Sequence, residues 1–308
     1  MGNHYPVMLD EAISMLDVKE DGIYVDCTLG RAGHSGAILS RCKKGHLYCF
    51  DLDETALSES KSKLEAAGNN FTLIHSSFAC LKEKLSEMGV SKVDGVLADL
   101  GVSSPQFDDS SRGFSYKEEA RLDMRMDKSQ ALSAYEVVND YDLSSLTRLL
   151  YEYGEERDAR AIASNIVKAR QNKKIVSTLD LVDIVKKSKS AKELAKKGHP
   201  AKQTFQAIRM EVNGEEDALK ALLAEAPLLL NKGGRLAIIT FMSIDDRLVK
   251  RRFHELSFIE ADRHAPLDGP NEEPDYRLLT KKPIVPSEKE LAENRRSASA
   301  KLRAIERI

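Results

Sequence analysis

The sequence predicts an α/β protein: a doubly wound parallel sheet interrupted by an all-helical insertion. Three observations carry that expectation. Short apolar runs alternate with helical patterns over the first hundred residues, strand patterns fade from about Asp108 to Asn213, and the alternation then returns.

The apolar runs fall at Ile23–Asp26, His46–Asp51, Phe71–His75 and Val93–Leu100, with helical segments near 34–42, 53–67 and 79–88 between them. Strands separated by helices build a parallel sheet with helices on its faces. In the middle region Ala159, Ile162, Ala163, Ile166 and Val167 recur at helical spacing, with Arg157, Arg160, Lys168 and Arg170 opposite. The only strand-like run there is Lys174–Val176. A long helix is expected over about 214–230, closed by the glycines of "NKGG" as a C-terminal cap. "RLAIIT" (235–240) reads as a buried strand, 245–256 as a helix, and 257–264 and 275–280 as weaker strands. The expected division is residues 1–107 and 214–308 in the sheet domain and 108–213 in the inserted helical domain.

Composition narrows the function classes. Hydrophobic content of 42% and charged content of 31% suit a soluble globular protein. No apolar run is long enough to cross a bilayer, and the N-terminus lacks the basic-then-apolar order of a signal peptide. The four cysteines, at 27, 42, 49 and 80, include no C-x-x-C pair, which argues against a disulfide or zinc framework and for a reducing cytoplasm. A net charge of −2 hides an asymmetry: Arg160–Arg209 holds 13 basic against 3 acidic residues, or +10. The tail Lys281–Ile308 adds 8 basic against 4 acidic residues. Such a block points to a polyanionic partner or, more plainly, to a solvated lysine-rich helical face.

The stretch "VDCTLGRAGHS" (25–35) packs a strand end, a glycine turn and a helix start together. It lacks the lysine of a P-loop, and its glycines run Gly30-x-x-Gly33-x-x-Gly36 rather than G-x-G-x-x-G. "LYCFDLD" places Asp51 at the end of the second strand, where a carboxylate accepts hydrogen bonds from both ribose hydroxyls. That much leaves open a nicotinamide dinucleotide, adenosylmethionine, or a turn with no ligand. The fourth strand ends at Asp99, so Asp26, Asp51 and Asp99 gather at the carboxyl edge of the sheet, where open α/β sheets bind ligands. Three acids suit a sulfonium and a ribose better than a pyrophosphate, which favours adenosylmethionine.

The segments "HYPVMLDEA", "DCTLGRAGHS", "DGVLADLGVSSPQFDDSSRGFSY", "LDMRMD", "YGEERDARAIA", "HPAKQTFQAIRMEVN", "GGRLAIITFMSIDDRLVK" and "RSASAKLRAIER" resemble, in order, those of the bacterial small-subunit ribosomal RNA cytosine-N4 methyltransferases (the RsmH/MraW family). The likeness runs nearly end to end. It implies a Rossmann-like class I methyltransferase sheet with an inserted helical domain for RNA recognition. The implied reaction is direct in-line methyl transfer from S-adenosyl-L-methionine to the exocyclic N4 of a flipped-out cytidine in the decoding region, with no covalent enzyme intermediate. By these motifs the cofactor contacts fall on Ala32, Gly33, His34, Asp51, Phe78, Asp99 and Gln106. No metal is implied. The implied partner is small-subunit ribosomal RNA, within the small ribosomal subunit, in the cytoplasm and away from membranes; a homodimer is compatible with this.

Three departures stand out. Ala32 replaces a usual glycine, which a negative φ would tolerate; Met242 replaces a usual histidine; and Asn294-Arg295 replaces Asn-Pro. The C4 amine of cytosine is a poor nucleophile because its lone pair is delocalised, so methylation needs an acceptor for an amine hydrogen as charge develops. Asp99 is the candidate catalytic acceptor. No cysteine follows the Pro or Thr usual for cytosine-C5 chemistry. His34 contacts the cofactor, relays a proton, or simply packs at the helix start; His4 reaches the site from the N-terminal arm or sits at the surface. Phe107, Phe114 and Tyr116 stack on the target base or pack the insertion, and Lys186, Lys187 and Lys189 are expected to grip phosphates. Two rival classes remain: a nicotinamide-dependent oxidoreductase and a non-catalytic RNA-binding relative.

Overall fold

The computed structural model describes residues 5–258 and 273–308. Seven strands form one sheet: β1 (Ile23–Asp26), β2 (His46–Asp51), β3 (Phe71–His75), β4 (Val93–Asp99), β5 (Leu230–Thr240), β6 (Tyr276–Leu278) and β7 (Lys301–Arg307). Their spatial order is β3-β2-β1-β4-β5-β7-β6. The first five run parallel, and β7 lies antiparallel between β5 and β6. The reversal of strand order between β1 and β4 makes the sheet doubly wound and opens a crevice beyond the carboxyl ends of its strands.

Strand periodicity explains the two covered faces. Tyr24, Leu97, Ala237, Ile239, Leu302 and Ala304 point to one side, against α1 (Leu9–Leu16), α2 (Gly33–Leu39) and α3 (Glu54–Ala67). Their neighbours Val25, Val96, Ala98, Leu236, Ile238 and Ile305 point to the other, against α4 (Leu81–Glu87), α12 (Glu215–Leu229) and α13 (Ser243–Ser257). Near-continuous apolar strands of this kind are those of a sheet buried on both sides.

The chain divides into two compact units, 1–101 with 217–308, and 102–216; the sequence placed these divisions at 107/108 and 213/214. The second unit holds α5 (Ser104–Asp108), α6 (Ala134–Asp140), α7 (Leu143–Glu152), α8 (Ala159–Asn172), α9 (Thr178–Ser188), α10 (Ala191–Leu194) and α11 (Lys202–Asn213). Among its described residues the only β pairing is an isolated bridge, Arg121↔Ser177, next to the expected strand-like run. Its core gathers Phe114, Val137, Leu146, Ile162, Ile166, Leu181 and Phe205. Arg125 grips Asp123 through Nε at 2.8 Å and NH2 at 2.8 Å. Asn213 accepts from the Met126 amide at 2.7 Å and donates to the Met124 carbonyl at 2.8 Å. Two of the quoted segments, "LDMRMD" and the one ending "MEVN", are thus a structural clasp.

The "NKGG" expectation is corrected. The α12 helix ends at Leu229, and Asn231–Gly234 lie inside β5, where the register jumps from Val93↔Leu230 to Gly95↔Arg235. The extra residues bulge from the ladder, because β4 offers too few partners for them. The strand expected over 275–280 is β6, whereas 259–264 lie outside the described residues, as does His4. The sequence reading overlooked β7, whose charges hid it: Arg303 Nε donates to Asp246 Oδ1 at 2.7 Å, and Glu306 pairs with Arg235 at 3.2 Å and Arg277 at 3.0 Å. C-terminal α14 (Glu288–Glu293) precedes a short 3-10 turn, Arg295–Ser299, and Asn294 Oδ1 caps that turn by accepting from the Arg296 amide at 3.2 Å. Proline suits the position after such a cap, and Arg295 occupies it here with the turn intact. No helix among the described residues is long and apolar enough to cross a membrane.

Candidate active site

The parallel register brings Asp26, Asp51 and Asp99 to the carboxyl edge of the sheet. Asp26 pairs across from Cys49 on one side and Leu97 on the other, two residues short of Asp51 and Asp99. The three acids then diverge in role. Asp26 is fully buried: it accepts from the Thr28 amide at 3.0 Å and from Ser35 Oγ at 2.6 Å. Thr28 Oγ1 in turn accepts from the Asp99 amide at 2.7 Å. Asp26 therefore braces the turn and the end of β4. Thr28 and Ser35 were not singled out in the sequence, although both stand in the glycine-turn stretch itself.

Asp51 accepts from the Gly30 amide at 2.8 Å through Oδ2 and from the Asp53 amide at 2.9 Å through Oδ1. Burial pushes its carboxyl up to about 6 against the pull of those two amides, with Asp53 and Asp26 adding to the rise. Each oxygen keeps a second lone pair for a hydroxyl donor. Phe78 opens a short 3-10 turn after β3, half-buried against the core that holds Phe50 and Leu81.

Asp99 ends β4 with its two oxygens in different states. Its Oδ2 lies 3.8 Å from His34 Nδ1, whereas Oδ1 is buried with no hydrogen-bond partner. A buried acceptor left without a donor costs about 1–3 kcal/mol, so such an atom needs an explanation. Burial pushes the Asp99 carboxyl up to about 6; His34 opposes the rise, and Asp26 and Glu290 add to it.

The glycine turn departs from expectation at Ala32. Its φ is +58°, left-handed, so the negative φ that would tolerate its methyl group is not what the fold adopts. Gly33 answers to the N-terminal arm: a Cβ there would lie 2.1 Å from Pro6 Cγ. His34 is 5% exposed, with Nε2 3.0 Å from the Val7 carbonyl and Nδ1 toward Asp99. Both ring nitrogens thus face protein groups, and the backbone of the turn is what it offers a ligand. Gln106 belongs to the second unit, where it is buried and its Oε1 accepts from the Ser103 amide at 3.0 Å.

The second unit decides between alternatives for the aromatics and corrects one phosphate contact. Phe114 is buried in its core, and half-buried Tyr116 stacks on His199 at 4.3 Å and meets Phe205 edge-on, so both pack the insertion, whereas Phe107 is 39% exposed. Lys189 is no phosphate grip: its side chain is 5% exposed and pairs with buried Glu156 at 2.6 Å and Asp158 at 3.7 Å. Lys186 and Lys187, on the same helix, are exposed.

The model of the MraW methylase family matches residues 1–308. The chain belongs to that family. This MraW-family chain is 48% identical, over 99% of its length and 98% of the relative's, to "Ribosomal RNA small subunit methyltransferase H" of Streptococcus mutans serotype c. It is 49% identical over the same shares to the protein of that name from Streptococcus equi subsp. equi. Among solved structures, an rRNA methylase from Streptococcus thermophilus aligns over 97% of this chain and 93% of its own, at 13% identity and a TM-score of 0.39. The strand order carries the fold assignment.

Proposed function

We propose that this MraW-family protein transfers a methyl group from S-adenosyl-L-methionine to the exocyclic N4 of a cytidine in the decoding region of small-subunit ribosomal RNA. The observation that carries the reading is the unpartnered, buried Oδ1 of Asp99 at the carboxyl edge of a doubly wound sheet. The Asp99 carboxyl thus keeps unused acceptor capacity while a quarter of the side chain stays exposed to a ligand.

The residues fit the cofactor. Asp51 has lone pairs left for the two ribose hydroxyls, and Phe78 presents a half-buried ring at the end of β3. When bound, adenosylmethionine supplies an electrophilic methyl on a sulfonium. The Asp99 carboxylate accepts a hydrogen of the C4 amine as the nitrogen becomes cationic, then takes the proton. The base has to leave its stack to reach that carboxylate, which favours single-stranded or exposed RNA. No enzyme thiolate is called on; burial holds the Cys27 and Cys49 thiols well above their usual range.

The test is transfer of labelled methyl to small ribosomal subunits and to naked ribosomal RNA, followed by nucleoside analysis. N4-methylcytidine is expected, with Asp99→Asn lowering the single-turnover rate about 100-fold or more while cofactor affinity changes little. A methylated product other than N4-methylcytidine, or an Asp99→Asn enzyme that loses affinity but keeps its rate, overturns the reading.

A further inference from the structure

We propose that the N-terminal arm, Pro6–Met8, is a positioning element of the active site, fixing His34 against Asp99 and held in place by Glu290 of the C-terminal helix. The proposal rests on the reading of Asp99 as the amine acceptor.

Three consecutive residues of the arm are gripped by two parts of the sheet unit, the start of α2 and α14. Pro6 fills the notch left by the missing side chain of Gly33. The Val7 carbonyl faces His34 Nε2 at 3.0 Å, and the Met8 amide donates to Glu290 Oε1 at 3.0 Å, across 282 residues of sequence. Met8 is buried and held at φ +52°, a conformation that an unbranched L-residue keeps only where its surroundings impose it. That strained joint lets α1 begin directly from the clamp.

The Val7 bond has a chemical consequence. A carbonyl oxygen only accepts, so His34 must carry its hydrogen on Nε2. In neutral His34 this leaves the lone pair of Nδ1 facing Asp99 Oδ2 at 3.8 Å. At that separation the two groups face each other without a direct hydrogen bond, and Asp99 Oδ1 stays buried without a partner. The arm therefore sets the tautomer of His34 and which ring nitrogen faces Asp99. It also packs His34 out of water beside a carboxyl that burial raises. The charged groups facing Asp99 are His34 on α2, Asp26 at the end of β1 and Glu290 on α14.

The arm can be released from two sides. Gly33→Ala suits a helix but collides with Pro6, and it keeps the Glu290 charge. Glu290→Ala removes the acceptor for Met8, whereas Glu290→Gln keeps an acceptor oxygen and loses only the charge. Gly33→Ala and Glu290→Ala should each lower kcat at saturating cofactor and RNA by about tenfold. The rising limb of the pH profile should move toward acid by about one unit as Asp99 gains water. Glu290→Gln should recover most of kcat, and the nitrogen resonances of His34 in the wild-type protein should report hydrogen on Nε2.

Wild-type kcat and pH limb in Gly33→Ala and Glu290→Ala overturn the proposal. So does a change confined to cofactor affinity, which would make the arm only a cover for the cofactor. Glu290→Gln as impaired as Glu290→Ala removes Glu290 from it. Failure of the underlying reading shows separately, as an Asp99→Asn enzyme of undiminished rate.

Discussion

Ala32 shows how much one methyl group can matter at a turn. Its left-handed backbone closes the glycine turn and starts α2, a conformation costing an L-residue about 1–2 kcal/mol. Glycine has no such penalty, and against it stands the larger entropy glycine loses on folding, about 0.4–1 kcal/mol. The strain wins, so Ala32→Gly should raise the stability of the protein by about 0.5–1 kcal/mol in denaturant unfolding. An unchanged or lower midpoint would mean that the buried methyl contributes more than its strain costs. Asp51 and Asp99 were legible as strand-end acids, because the apolar runs that precede them are unambiguous. The engagement of His34 and Gly33 by Pro6 and Val7 was not, since nothing local marks a segment some 27 residues away as their neighbour.

The α9 helix separates charge that binds from charge that folds. Lys186, Lys187 and Lys189 look alike in sequence, but the capping lysine turns inward to Glu156 while the other two face solvent. Lys189→Glu leaves three acids together in a buried site and should destabilise the protein by about 3–5 kcal/mol, seen as a lowered melting temperature. Lys186→Glu with Lys187→Glu should leave melting unchanged and weaken RNA binding, flattening the slope of log affinity against log salt by roughly one per lysine. An unchanged slope would move the RNA surface elsewhere. The strands β1 to β4 were readable because apolar runs bounded by turns are strand signals of their own. In β7 four charges in seven residues read as a polar tail, and only pairing with Asp246, Arg235 and Arg277 makes the strand buriable.

At the scale of the whole molecule, the proposed active site is held at a cost in stability. The Asp99 carboxyl sits at about 6 when folded, above the usual 3.8, so the folded protein holds that proton more tightly than the unfolded chain. Stability therefore falls as pH rises from about 4 through 6, and the full cost, on the order of 2–3 kcal/mol, is present above that range. Asp99→Asn should raise the melting temperature of the cofactor-free protein at pH 7 to 8 and leave it unchanged near pH 4. Equal melting of the two proteins at both pH values would show that the carboxylate is no burden to the fold.

The sequence by itself determined the α/β class, the first four strands, the helical character of the middle region and the acids at the strand ends. These follow from periodicity, and periodicity is local. Tertiary structure alone decided which charges are buried, which glycine is a notch for a proline, where β7 enters the sheet and which oxygen of Asp99 is left without a partner. Each depends on residues far apart in the chain meeting in one place, and a side chain's burial and partners exist only once they have met.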